Sequence, residues 1–532
     1  MKQYKKFVMI FIAAIFVITG CSGQQSTSSS DQKSSEEKEN NNNTDTEKTL
    51  YFAIGGEVKD FDPHFLAGLP EYAVVPNLFN GLVRMPLGKV DVTAIEGDLA
   101  EKWESNETST QWTFYLRQGV QWHKGYGELT AEDVKSSYER VIDPTNGISD
   151  STYFQHVESI ETPDQYTVVF NLSNPDPNFL QLLMNYKGGA IANTKAIDAG
   201  EPHIGTGPFE YAEYKTQDQA ILVKNKDYFR GEPKIDKVIF KIMTDSTAID
   251  VAMEKGEIHM SLGISDPLWL DKISKNQDLK VELGGPNNQG NFYLNSSKEP
   301  LNDIRVRQAI AHAIDAESYV TSMTTNGKVP QGPIPSDVSG AVDAGKYEYN
   351  IEKAKQLLKE AGYENGFKLP PQYVSQASHI LNPMVFAQDQ LKQIGIDMPL
   401  EKVEHTTYQD NMRKDMNTIA YVAFNRIPHA SWWVRDVYHS NSTVGTPTGV
   451  LNYSHYDKSD ALIDQAVVAT DESEANELYA QIQKQVMEEY VVAPLIEYST
   501  TLVRRTEVDL GYSQHGGSLY YYWPLNENTD LK

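Results

Sequence analysis

Trp112-Thr113-Phe114-Tyr115-Leu116-Arg117-Gln118-Gly119-Val120, followed by Trp122-His123 and Leu129-Thr130-Ala131-Glu132-Asp133-Val134, turns from a strand into a helix. Trp112, Phe114 and Leu116 alternate with other positions, the period of a half-buried strand. Thr130 then stands where a helix needs a cap, and Asp133 follows three residues on. Val134, Tyr138 and Val141 recur at helical spacing on one face. A strand and a helix this close together set the theme of the chain.

The same alternation of element types continues in both directions. Leu50 to Ile54 reads as a strand ended by Gly55-Gly56, and Phe61-Asp62-Pro63-His64 as a turn. Further strands are predicted at Tyr166 to Leu172, Lys237 to Ile242, Ile419 to Phe424 and Val491 to Ile496. A helix opens at Asn302-Asp303, with Val306, Ile310 and Ala313 inward. Asn350 to Ala361 is a helix capped by Asn350, striped by Ala354, Leu357, Leu358 and Ala361, and ended by Gly362. Met384 to Ile394, closed by Gly395, repeats that pattern, and Leu478, Ile482 and Val486 stripe another helix. Interleaved strands and helices predict an α/β, mixed α+β protein. At 532 residues the chain exceeds what one core organises, so two or three lobes are expected.

Charge and cysteine usage narrow the function. The formal net charge is −26, and removing Lys2, Lys5 and Lys6 with the first twenty residues makes the remainder more acidic still. Nucleic acid is therefore excluded as an expected partner, because phosphate binding needs the opposite sign. Cys21 is the only cysteine, so the body has no disulfide and no thiolate metal site. No cofactor is expected. Nothing matches the phosphate-binding G-x-x-x-x-G-K-[ST] run, so the chain itself is not expected to bind ATP.

Residues 1–20 read as a signal peptide, with a lysine-bearing start and the apolar run Phe7 to Ile18. That run is too short for a bilayer about 30 Å thick, which takes roughly 20 helical residues. Ile18-Thr19-Gly20-Cys21 resembles a bacterial lipobox, in which the cysteine is acylated before cleavage; the alternative is a plain secretory signal with an incidental cysteine. Residues 21–48 are then a lipidated cysteine and a disordered tether, since 22–48 contain no large apolar side chain. The expected place is the outer face of the cell membrane, on a Gram-positive-type surface, or the periplasmic side of a Gram-negative cell.

The order of motifs resembles the extracellular solute-binding proteins of family 5, the peptide/nickel-type receptors. The pieces are Asn77-Leu78-Phe79-Asn80-Gly81-Leu82-Val83, similar to an early helix of the family, and Leu99-Ala100-Glu101-Lys102-Trp103-Glu104. The opening strand–helix stretch, Gly205-Thr206-Gly207-Pro208-Phe209, Asn225-Lys226-Asp227-Tyr228-Phe229 and Asp303-Ile304-Arg305-Val306-Arg307-Gln308-Ala309-Ile310 follow in order. The resemblance implies a multi-lobe periplasmic-binding-protein-like fold (class II, cluster C type) with an inserted lobe and a central ligand cleft. It places a discontinuous lobe I at 49–84, 203–297 and 491–532, an inserted lobe II at 85–202, and lobe III at 298–490. It further implies a monomer that captures a small peptide or peptide-like solute by cleft closure. The solute would pass to ABC permease subunits served by a separate ATPase.

Candidate ligand residues follow from the same resemblance. Gly68-Leu69-Pro70-Glu71 aligns with a loop that pairs with ligand backbone in oligopeptide receptors, Leu69 acting through its N–H and C=O; an ordinary exposed turn is the alternative. Tyr153 resembles an aromatic that covers ligand, and Ser375 and Gln376 a cleft-edge stretch. After the strand at Ile419, peptide receptors commonly carry an aspartate for the ligand's ammonium; here no acid occurs between Ile419 and Arg435, and Arg426 lies near that place. Facing the cleft, Arg426 would favour a carboxylate or another anion; otherwise it pairs with an acid on the lobe surface. Trp432 and Trp433 stack on a ring or line the core.

Alternatives stay open at this point. Pro428-His429-Ala430 is similar to nickel-type members, which suggests a metal chelate, while the twelve scattered histidines show no metal-cage spacing. An opine-like solute, an oligosaccharide and a peptide-sensing surface lipoprotein also fit. An enzyme is not expected, since no G-x-S-x-G, catalytic cysteine or zinc motif occurs.

Overall fold

The opening stretch folds as its pattern requires. Gln111–Leu116 is a strand whose Trp112, Phe114 and Leu116 are buried. Ala131–Ile142 is a helix with Val134, Tyr138 and Val141 wholly buried, each apolar side chain worth about 1.5–3 kcal/mol. The Asp133 carboxylate accepts from the N–H and the hydroxyl of Thr130, both at 2.9 Å, and so closes the helix start. The computed structural model describes residues 47–513 and 525–532, apart from 67, 90, 263–266, 286–287, 324–326 and 426. Cys21, the tether and Arg426 therefore lie outside the described residues.

Three larger sheets carry the architecture. A seven-stranded sheet runs in the order Leu279–Leu283, Thr501–Arg505, Met260–Leu262, Thr49–Ile54, Lys237–Ile242, Gln219–Lys224 and Phe209–Lys215. Thr49–Ile54 pairs in parallel with both its neighbours, and the remaining pairs are antiparallel. A four-stranded antiparallel sheet, in the order Ala100–Ser105, Gln111–Leu116, Thr167–Leu172, Val157–Asp164, packs on the Ala131–Ile142 helix. A second four-stranded sheet orders Gly327–Lys328, Val492–Tyr498, Asn288–Leu294 and Ile419–Asn425.

The chain passes between two of these sheets at neighbouring places. Leu279–Leu283 and Thr501–Arg505 are paired in the first, and the strands next to them in sequence, Asn288–Leu294 and Val492–Tyr498, are paired in the other. Gly284 N–H donates to Thr500 O at 2.7 Å between the two crossings.

The motifs that carry the resemblance have local physical reasons. A Cβ on Gly205 would lie 1.9 Å from the Leu78 carbonyl oxygen, and one on Gly207 2.5 Å from the Leu78 carbonyl carbon. Thr206 Oγ1 reaches Asn80 Oδ1 at 3.1 Å, so the Gly-Thr-Gly segment lies directly against Leu78–Asn80. In Asp303-Ile304-Arg305-Val306-Arg307, Asp303 caps the helix Ile304–Ala313 by accepting from Arg305 N–H. The buried Arg307 guanidinium donates to Glu489 O at 3.0 and 2.9 Å and to Leu301 O at 2.8 Å, stitching the ends of two helices.

Several expectations need correction. Asn77–Val83 is not a helix: the helix is Leu69–Val74, a 3-10 turn covers Val75–Asn77, and Gly81 bridges to Ala190. Asn77 Nδ2 folds back on Ala73 O and Val74 O, and Pro76 has no N–H to continue the helix. Gly68-Leu69-Pro70-Glu71 is accordingly a helix start rather than a loop, with proline in the first turn where its missing N–H costs nothing. The helix foreseen at Met384 begins earlier, at Ser378, and contains Pro383. Asn350 caps Ile351–Glu360 as expected, and Gly362 and Gly395 adopt the left-handed backbone that ends a helix.

Candidate ligand-binding site

A cavity of about 210 Å³ lies between residues from the first half of the chain and residues from the second. Tyr72, Asp150, Tyr153 and Lys187 line one side, and Ile427, Trp432, Asp436 and Val450 the other. A cavity of about 370 Å³ shares Val450 with it, and one of about 380 Å³ shares Trp432. Val450 thus lines both the first and the second cavity, and Trp432 both the first and the third.

The second-half wall is set by a break in helix geometry. The helix Ala430–Trp433 starts at a cap in which His429 Nδ1 accepts from Ser431 N–H, and then widens into a π-helical turn at Val434–Tyr438. Such turns displace side chains from the regular helical positions and are frequent at functional sites. Here the turn carries the buried Asp436 to the cavity. Tyr153, on the 3-10 segment Ser149–Phe154, donates from its hydroxyl to Asp436 Oδ2 at 2.9 Å. Its ring meets Trp432 edge-on at 5.1 Å, and the Arg435 guanidinium lies 4.0 Å from the Trp432 ring and 5.4 Å from the Tyr153 ring.

The opposite wall holds a second anchored acid. Asp150 accepts from Asn185 Nδ2 at 2.8 Å and from Ser149 Oγ at 3.0 Å, and Lys187 Nζ stands 3.7 Å from it. The central cavity thus combines two carboxylates, one ammonium and three aromatic rings. Such a lining offers donors, acceptors and stacking faces to a polar guest with an organic frame.

The larger cavity past Val450 has a different polarity, with His379, His405, Gln409 and Arg413 beside Tyr408, Tyr421 and Tyr453. Burial, and then the neighbouring His405, push the His379 imidazole below its ordinary value, favouring the neutral ring. The cavity past Trp432 is lined by His156, Asp176, Arg435 and Asp464, and His156 Nε2 lies 2.9 Å from Asp176.

The residues named from sequence are placed as follows. Tyr153 and Trp432 meet at the central cavity. Leu69 is 39% exposed at the start of its helix. The buried Glu71 carboxylate accepts from Lys59 N–H and Gly68 N–H, so it closes the helix start. Ser375 is buried against His405 Nδ1 at 3.0 Å and Gln376 is exposed; neither lines the central cavity. Trp433 is core. Asp436, Asp150, Lys187, Tyr72 and Val450 were missed. Asp436 follows the acid-free stretch by one residue and sits on the π-helical turn.

Among the described residues, no group of three or more His, Cys, Asp or Glu could hold a metal ion, and no helix is long and apolar enough to cross a membrane.

Similarity to known proteins agrees with this geometry. Residues 94–444 match the family model for bacterial extracellular solute-binding proteins, family 5 Middle. The probable D,D-dipeptide-binding periplasmic protein DdpA of Escherichia coli is 29% identical over 78% of this chain and 82% of its own length. Heme-binding protein A of Haemophilus influenzae is 30% identical, over 76% and 79%. Among solved structures, MoaA of A. tumefaciens R10 in complex with mannopinic acid gives a TM-score of 0.81 at 32% identity, covering 92% of this chain and all of that one. DppA of Helicobacter pylori in complex with the peptide STSA gives 0.77 at 26%, covering 91% and 98%. The chain belongs to the bacterial extracellular solute-binding proteins of family 5.

Proposed function

We propose that this chain is the capture subunit of an ABC importer, anchored outside the membrane through a lipid on Cys21, and that its solute is a peptide or peptide-like zwitterion. The observation that carries the reading is the central cavity, walled by residues far apart in the chain and bridged by the Tyr153–Asp436 hydrogen bond. Fixed charges of both signs at the centre suit a guest that carries an ammonium and a carboxylate together. Arg413 and the two histidines beyond Val450 suit an acidic end.

On this reading lobes I, II and III divide the chain as the sequence suggests, and the two crossings near Gly284 and Thr500 are the hinge. Ligand touching both walls favours the closed arrangement by its differential affinity. The closed form then docks on a permease without chemical change to the solute. An opine-like guest is the second reading, favoured by the likeness to the mannopinic acid complex.

Thermal shift of the soluble body against dipeptides, tripeptides, opines, haem, nickel–histidine and oligosaccharides tests the ligand class. A rise with peptides bearing both free termini supports the first reading, and a rise with opines alone moves it to the second. Stabilisation only by sugars or metal chelates overturns both. Incorporation of a labelled fatty acid that disappears in Cys21→Ser tests the anchor.

A further inference from the structure

Glu497 and Gln289 are directly opposite in the register of Val492–Tyr498 and Asn288–Leu294, and their exposures are 1% and 0%. Side chains at such positions share one face of the sheet, about 5 Å apart at Cβ. The Gln289 amide is fixed in orientation, because Nε2 donates to Asn291 Oδ1 and Gly332 O, both at 2.9 Å. Reversing it would set an oxygen against the Gly332 carbonyl. The remaining Oε1 receives no hydrogen bond.

Glu497 is fixed in the same way. Its Oε2 accepts from Ser336 N–H at 3.3 Å and from Ser336 Oγ at 2.7 Å, with Lys328 Nζ at 3.5 Å. Its Oε1 receives no hydrogen bond. Two buried acceptors on facing residues both lack a donor, which native interiors rarely tolerate. One hydrogen atom between them would satisfy both.

We propose that Glu497 carries a proton in the folded protein and donates it to Gln289 Oε1, and that this pair is a pH-sensitive element coupled to the ligand cavity. Burial acts in the required direction, raising the Glu497 carboxyl above its ordinary value against the lowering influence of Ser336 and Lys328. The other titratable groups around it are Lys328 on the adjoining strand, Tyr498 next in sequence, and Asp337 beside Ser336. The Asp337 carboxyl is itself raised by burial, with Lys328 opposing. A metal ion is the weaker guest, because the Lys328 ammonium already supplies positive charge there.

The coupling runs through the segment that covers Glu497. Ser336 holds the carboxyl, and three residues on, Ser339 N–H donates to Pro428 O at 3.0 Å while Ala430 N–H donates to Ser339 O at 2.8 Å. Ile427 and Trp432, on either side of that contact, line the central cavity. Ionisation leaves an anion sealed between the crossing strands, so the 332–339 cover must admit water and loosen its hold on 427–432. The effect on capture rests on the receptor reading; the proton itself does not.

Glu497→Gln places an amide N–H where the hydroxyl would be and keeps that bond at every pH. The raised carboxyl contributes stability in full below its ordinary value and loses it as pH climbs through the folded-state value. Wild type should therefore match Glu497→Gln in thermal midpoint near pH 4 and fall below it by a few degrees near pH 8. A difference that does not change with pH overturns the proposal, as does replacement of the pH effect by stabilisation with added Ca²⁺. Infrared difference spectra of wild type between the same pH values should show a protonated carboxyl C=O band lost on raising pH. Should Glu497→Gln fail to fold, Gln289→Leu should shift that band by removing its acceptor; its absence in wild type overturns the proposal. None of these readouts uses a solute, so their failure is distinct from failure of the receptor reading.

Discussion

The hydroxyl of Tyr153 and the carboxylate of Asp436, 283 positions apart in the chain, meet at 2.9 Å across the central cavity. The bond ties the 3-10 segment Ser149–Phe154 to the π-helical turn Val434–Tyr438. Arg435 lies over both Tyr153 and Trp432, so a cation, an acid and two rings form one bridge between the walls.

Tyr153→Phe keeps the ring contacts and removes the hydrogen bond, which is worth about 1 kcal/mol. The affinity for a captured solute should fall roughly fivefold, and the empty protein, which holds the same bond, should lose about 1 kcal/mol of stability. Titration calorimetry with the strongest hit of the ligand panel checks the first, and urea unfolding the second. A loss confined to stability would make the bond a packing feature.

The family motif at Asp303 contains two arginines with opposite prospects. Arg307 is buried and its guanidinium satisfies Glu489 O and Leu301 O, so Arg307→Ala leaves buried carbonyls without donors and should cost about 3–5 kcal/mol. Arg305 pairs with Asp303 at the surface, and Arg305→Ala should cost far less than Arg307→Ala. Urea unfolding of the two variants, side by side, reads the contrast.

His123 gives the fold an acid limit. Its Nε2 lies 3.0 Å from Gly207 O and its Nδ1 accepts from Gly205 N–H at 3.3 Å, so both ring nitrogens are used by the neutral tautomer. Burial lowers the ring to about 4, against a weaker upward pull from the Gly207 carbonyl. A lowered histidine contributes stability in full above its ordinary value and loses it as pH falls from about 6.5 to about 4. The loss from this one ring should reach about 2 kcal/mol near pH 5. Wild type should lose correspondingly more than His123→Gln between pH 7 and pH 5 in urea titrations.

The fold was legible where one residue type answers one local need. Alternation at Trp112, Phe114 and Leu116, and the caps at Thr130 and Asn350, gave the elements directly. The Gly-Thr-Gly segment was legible only as a family motif, because its reason is the close approach of Leu78, a neighbour in space alone. The site was harder for the same cause. Tyr153 was named through the family resemblance and Trp432 as an aromatic, but Asp436 lies on a widened helical turn that no sequence period announces. Glu71 illustrates the converse: the resemblance made it a ligand residue, and the structure gives its carboxylate to two backbone N–H groups.

Val450 lines both the central cavity and the one walled by His379, His405 and Arg413, and it is 37% exposed. An exposed apolar side chain here carries little of the fold, so Val450→Trp should change stability by no more than about 0.5 kcal/mol. The indole would intrude into the space that Val450 borders on both sides. A guest that spans both cavities, such as a tripeptide with its carboxylate toward Arg413, should then lose at least about tenfold in affinity, or 1.4 kcal/mol. A guest small enough for the central cavity alone should bind as before. Calorimetry with a dipeptide and a tripeptide of the same N-terminal sequence separates the two cases. Equal losses for both would mean that the cavities do not hold one extended ligand, and the assignment of Arg413 to its acidic end would go with it.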